Sequence, residues 1–186
     1  MRPQIRVSGT VLLWFALMIL VFPLRWILAS VAAAALHEGC HIFAIYLCGG
    51  SVDTLKIGQR GATMGVTTLT PLQELFCALA GPAGSGLLVL LAGVFPRLAV
   101  CALFHGVYNL LPVYPMDGGR ALHCALTMLF GEDRAERACL WVTRMLTFGL
   151  LLAVVYAVCV LRLGFLPLLM AGFVIRKANM RKMPCK

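Results

Sequence analysis

The sequence predicts an all-α polytopic membrane protein: about six transmembrane helices, a small β-hairpin at the membrane surface (about 51–68) and one broken-helix loop. Three observations carry this. Of 186 residues, 61% are apolar or aromatic, where a globular protein has about 45–50%. Only 12% are charged, roughly half the ~25% of a soluble domain. The apolar residues fall in runs suited to crossing a bilayer, which takes ~20 helical residues. A soluble chain near this size buries only ~70% of its unfolded surface, too little to hide so much apolar area. A soluble enzyme, a disordered tail and a secreted disulfide scaffold are poor readings. Six spans consume about 120 residues. That leaves a single membrane-embedded domain, 1–186, with its core at about 8–130, C-terminal spans at about 139–175 and a basic tail at 176–186.

The elements follow in order. Span one covers about 8–24; it is too long for a secretory signal, and no small-residue cleavage site follows Phe22 and Pro23. Span two covers about 26–48 and carries His37, Glu38 and His41 near its middle. The hairpin reading rests on Leu55 and Ile57 alternating, a turn at Gly58–Gly61, then Met64 and Val66 alternating again. Span three, about 72–95, is interrupted by Gly81-Pro82-Ala83-Gly84, and span four runs over about 98–113. Pro112, Pro115, Gly118 and Gly119 break helix within eight residues. A shorter helix at about 120–130, a solvated loop at 132–137, span five at about 139–162 and a short span six at about 164–175 complete the chain.

The formal charge of +9 is a topology signal. With both termini inside, cytosolic segments hold Arg2, Arg6, Lys56, Arg60, Arg120, Arg134, Arg137, Arg176, Lys177, Arg181, Lys182 and Lys186. The outside keeps Arg25, Arg97 and Arg162, while Arg144 falls inside span five. Positive residues gather on the cytosolic side of membrane proteins, so both termini are expected there. Basic patches interleaved with stacking aromatics are absent, which argues against nucleic-acid binding. Cys77, Cys101, Cys139 and Cys159 lie in or beside apolar runs and read as packing residues.

His37-Glu38-Gly39-Cys40-His41 is H-E-x-x-H on an expected helix. Residues four apart share a helix face, so two imidazoles can bind one metal while Glu38 stands beside them as a base. The group lies about ten residues from either end of its span, hence ~15 Å deep at 1.5 Å per residue. Unpartnered ionisable groups there cost at least a few kcal/mol each. A bound metal supplies the partner. Catalytic zinc takes three protein ligands and keeps a fourth position for water. Candidates for the third ligand are Glu74, His105, Asp117 and His123. Asp117 is favoured, because irregular backbone at membrane depth is tolerated only where it is buried in protein or lines a wet cavity. His105 reads as a supporting or packing residue, His123 as helix surface and Glu74 as a carboxylate near a span's end. Cys40 reads as a small packing residue.

H-E-x-x-H in a membrane span, followed by Asn109-x-x-Pro112-x-x-Pro115-Met116-Asp117-Gly118-Gly119-Arg120, resembles the site-2 protease family of intramembrane zinc metalloproteases. The compact layout is most similar to the bacterial sporulation branch containing stage IV sporulation protein FB. The resemblance implies one zinc per chain on His37, His41 and Asp117, with Glu38 polarising the water. It also implies cleavage of a transmembrane or membrane-proximal segment of a membrane-associated or single-span protein substrate, in a bacterial cell membrane and under a regulatory membrane partner. Two departures stand out. The family's G-P-x-x-N reads Gly81-Pro82-Ala83-Gly84-Ser85 here, and neither a CBS nor a PDZ domain is expected in this chain.

The hairpin edge could accept an extended substrate strand. Asn109 either braces the broken helix through local backbone or donates to a developing oxyanion. Pro112, Pro115, Gly118 and Gly119 shape the supporting loop, and the site is expected to open to the cytosol. The rival reading is a divalent-metal transporter or metal-binding membrane protein using His37, His41 and Asp117 in transit, since intramembrane ionisable residues also mark ion pathways. Oligomeric state is not legible.

Overall fold

The computed structural model describes residues 4–7, 19–58, 61–66 and 69–159. Expected span one falls mostly outside them, and span six and the basic tail entirely so. The chain divides into two compact units, Met1–Leu110 and Leu111–Lys186.

In the first unit, three helices pack on one another: α1 (Leu24–Leu47), α2 (Pro71–Val89) and α3 (Pro96–Leu110). A short 3-10 turn, Leu90–Gly93, extends α2. Between α1 and α2 run the strands β2 (Val52–Gly58) and β3 (Gly61–Val66), antiparallel, with Gly58 opposite Gly61. A strand that the sequence reading did not anticipate, β1 (Gln4–Val7), joins β2 in parallel, Gln4 facing Thr54. Four residues ahead of an apolar run carry too little alternation to announce a strand. In the second unit, α4 (Asp117–Phe130) packs on α5 (Glu132–Cys159).

Among the described residues, three helices are long and apolar enough to cross a membrane: Leu24–Leu47, Pro71–Gly93 and Glu132–Tyr156. Several expectations are corrected. Expected span four, about 98–113, lies on α3, which ends three residues earlier, at Leu110. It stops at Leu110 because Pro112 pushes the residue before it out of helical backbone. Gly81-Pro82-Ala83-Gly84 does not interrupt span three; Pro82 sits inside a continuous α2, as prolines in membrane helices can when neighbouring groups satisfy the freed backbone. The expected solvated loop at 132–137 is the start of α5. A single residue makes that connection. Gly131, at φ 82°, donates its N–H to Thr127 O, and its own carbonyl accepts from Ala135 N–H. Glu132 and Asp133 then fall in the first turn of α5, where the helix dipole favours acidic side chains. Gly118 and Gly119 lie within α4, so the irregular stretch is confined to 111–116.

The packing places small residues inside and large apolar ones outside. Ala33, Ala78, Ala102 and Ala135 are fully covered, while Leu20, Leu90, Phe104 and Leu129 are largely exposed. Between helices surrounded by hydrocarbon there is no hydrophobic drive to bury leucine, so close approach of small residues does the packing. The start of α2 is fastened separately. Thr70 caps it in a reciprocal box with Gln73, and Pro71 occupies the first turn. Gln73 Nε2 also donates to Cys48 O at the end of α1, at 3.2 Å. Thr70→Ala is expected to lower unfolding stability in detergent by about 1 kcal/mol. Gln73→Ala, which loses the tie to α1 as well, should lower it further. Equal or smaller loss for Gln73→Ala in urea or thermal melts would show that this tie carries no energy.

Candidate metal centre

The centre is built first on α1. His37 and His41 lie one turn apart, 1% and 5% exposed, in a helix whose sequence around them (Ala32-Ala33-Ala34-Ala35) is made of strong helix formers. Each ring is fixed by its Nδ1. His41 Nδ1 donates to the Cys77 carbonyl of α2 at 2.7 Å. A carbonyl only accepts, so the proton resides on Nδ1 and leaves a bare Nε2. His37 Nδ1 lies 2.8 Å from Ser85 Oγ, also on α2 and 1% exposed. The two Nε2 atoms then face each other at 3.2 Å. His105 of α3 sets its ring edge-on to His37, centroids 4.6 Å apart at 86°. Glu38 follows His37 on α1 and is half-buried.

Gly81 lies opposite the two nitrogens. A Cβ there would overlap the His41 ring and come within 2.7 Å of His37 Nε2. Any other residue there must displace the rings. Pro82 next to it therefore belongs to a helix that needs its glycine for close approach rather than for a break.

Asp117 opens α4, in its first turn, after a tight stretch in which Val113 N–H bonds Leu111 O and Met116 N–H bonds Val113 O. Tyr114–Pro115 is cis. A Cβ on Gly119 would lie 2.6 Å from the Val113 and Tyr114 backbone. The glycine lets the stretch fold down onto the start of α4.

His37 and His41 offer two ligand nitrogens within the first unit, and Asp117 offers a carboxylate at the start of α4 in the second. Two nitrogens on one tetrahedral zinc, at 2.0–2.1 Å each, sit about 3.3–3.4 Å apart. The observed 3.2 Å matches that spacing, and both Nδ1 atoms are already engaged, as the outer partners of metal-binding histidines are. The residues present fit a zinc ion.

The remaining candidates take other places. Asn109 is half-buried, and its Nδ2 donates to His105 O at 3.1 Å, the local bracing contact. His123 was expected on a helix surface but is 4% exposed, and Thr127 Oγ1 bonds its carbonyl. It lies among the buried residues of α4, with Gly119, Ala121 and Cys124, in a helix that packs on α5. Glu74 lies in the first turn of α2, half-buried. Cys40 is half-buried, and its sulfur occupies the space beside Gly84. The sequence reading missed Cys77 and Gly81. A backbone carbonyl carries no residue signature, and nothing in the order of residues says which glycine faces a ring. Ser85 was legible as the polar residue standing where asparagine is usual.

Comparison with known proteins follows from this geometry. The description of the Peptidase M50B-like family matches residues 10–114, more than half the chain. Zinc metalloprotease MJ0392 of Methanocaldococcus jannaschii is 27% identical over 157 residues, covering 74% of this chain and 44% of that protein. The chain thus spans less than half the length of that relative. Among solved structures, the Site-2 Protease from Methanocaldococcus jannaschii has a similar fold, with a TM-score of 0.69, 19% identity and coverage of 98% of this chain and 94% of that one. By the family match, joined to the H-E-x-x-H helix, the chain belongs to the Peptidase M50B-like family.

Proposed function

We propose that this chain is an intramembrane zinc endopeptidase that cuts a transmembrane or membrane-proximal segment of a protein substrate. The observation that carries the reading is the pair of Nε2 atoms of His37 and His41, 3.2 Å apart, with Glu38 next to a ligand on the same helix; Asp117 is the third ligand we assign. A zinc ion on those three residues would supply Lewis-acid polarisation of a water and of the scissile carbonyl. The chain's own residues do the rest. Ser85 and the Cys77 carbonyl hold both imidazoles in the orientation that offers Nε2. Glu38 accepts a proton from the attacking water and returns it to the leaving amine, general acid–base work worth about 10²–10⁴ in rate. The substrate segment must be extended first, because a helical carbonyl is engaged within its own helix. The β3 edge of the three-stranded sheet is the surface we assign to holding it by strand addition.

The finer expectations belong to this proposal: six spans with both termini and the site opening cytosolic, one zinc per chain, a single-span or membrane-associated substrate, a gating membrane partner and kinship with the stage IV sporulation protein FB branch. The charge placement described above supports the orientation. Asn109 has a role we assign to bracing the end of α3.

Glu38→Gln is expected to keep its zinc and lose cleavage of a co-expressed single-span substrate by at least 10²-fold. Substantial cleavage by this variant would overturn the role given to Glu38; metal-dependent uptake into proteoliposomes, with no proteolysis of candidate substrates, would favour the transporter reading. Gly81→Ala should lose zinc although no ligand is changed, because its methyl group occupies the space of the His41 ring. Metal analysis of purified protein decides it: wild-type zinc content in Gly81→Ala means that the rings do not sit as described.

A further inference from the structure

We infer that Gly106 on α3 is a positioning residue for the metal ligand His37, acting through Ser85. This deepens the zinc reading and rests on it. Ala99, Ala102 and Gly106 recur at helical spacing on α3 and are all buried. On α2, Ala78, Gly81 and Ser85 recur with the same spacing and are buried too. These two faces bring the helices so close that a Cβ on Gly106 would stand 2.8 Å from Ser85 Cβ and 3.5 Å from its Oγ. Ser85 Cβ is attached directly to the backbone of α2, so it cannot swing aside as the tip of a long side chain would.

The consequence reaches His37. Carbon atoms in ordinary contact are about 3.5–4.0 Å apart, so a methyl group at Gly106 must move Ser85 by about 1 Å. The Ser85 Oγ to His37 Nδ1 distance is 2.8 Å, and about 1 Å more takes it beyond hydrogen-bond range. The missing side chain on α3 is therefore what lets Ser85 reach the ligand. His105, next to Gly106, bears on the same ring edge-on, so two neighbouring residues of α3 both act on His37. Loss of such an outer contact lowers metal affinity about 10–100-fold.

The test is a cycle on the full chain in detergent, with zinc affinity from competition against a chromogenic chelator. Visible absorption of the cobalt(II)-substituted protein gives the second readout, because it follows ligand geometry rather than overall folding. Gly106→Ala and Ser85→Gly are each expected to weaken zinc binding 10–100-fold and to alter the cobalt bands. Ser85→Gly removes the Cβ that the new methyl group would meet. In that background Gly106→Ala should change affinity by less than 2-fold and leave the bands of Ser85→Gly as they are. If Gly106→Ala binds zinc as the wild type does, or the two losses multiply in the double variant, the proposal is overturned. Should Gly106→Ala alone fail to fold, a folded double variant with the affinity of Ser85→Gly supports the same contact, and a double variant that also fails to fold overturns it. A wild type that binds no zinc refutes the zinc reading itself, an outcome distinct from wild-type binding that is indifferent to Gly106.

Discussion

The structure depends on holding two imidazoles inside an apolar helix cluster with their Nε2 atoms 3.2 Å apart. Two bare nitrogens at that distance repel unless a proton or a cation lies between them. Buried polar groups are tolerated only when satisfied, and here the satisfaction comes in layers. The Cys77 carbonyl and Ser85 hydroxyl take up Nδ1 of the two rings, and the Nε2 atoms are left for a shared cation. α2 supplies both outer partners and also the glycine that faces the rings. Its path beside α1 is therefore set by the chemistry as much as by packing.

That path needs small residues. A helix that must bring a backbone carbonyl within 2.7 Å of a ring on its neighbour cannot carry leucine at the contact. Ala78, Gly81 and Ser85 on α2, with Ala99, Ala102 and Gly106 on α3, answer this. In water such a core would be weak, since burying alanine and glycine removes little apolar area. In hydrocarbon the comparison changes, because lipid solvates leucine as well as a protein core does. The exposed Leu90, Phe104 and Leu129 cost nothing there. Site geometry and the apolar solvent thus demand the same inverted distribution of size.

Much of this was legible from the residues, and the limits have physical causes. His37, Glu38 and His41 announce themselves because ionisable groups are costly at membrane depth and their spacing fits one helix, while Asp117 is read from the irregular backbone that precedes it. The helices containing them follow from apolar runs. Boundaries were less legible wherever a single residue decides. Pro82 and Pro112 are the same residue type, yet one sits inside a helix and the other lies just beyond a helix end. Pro82 lies in a helix packed against both α1 and α3, while Pro112 begins a run with a second proline three residues on. Likewise Glu132-Asp133-Arg134 reads as loop by polarity, but acidic residues after a glycine are equally a helix start. The strand at Gln4–Val7 is not legible, because its partner lies far along the chain and its alternation is too short to count.

The same reasoning separates two classes of glycine in this chain. Gly131 is required by its own backbone, since φ 82° is a left-handed conformation that side chains disfavour. Gly81, Gly106 and Gly119 have no such conformational demand; each is required by what a Cβ would strike. Substitution at the first kind strains one connection and leaves the chemistry untouched. Substitution at the second kind displaces a ring, a serine or the turn that leads into Asp117. The catalytic arrangement is in this sense specified by residues with no side chain at all. A reading that searches only for ligating side chains finds the ligands and misses the residues that hold them in place.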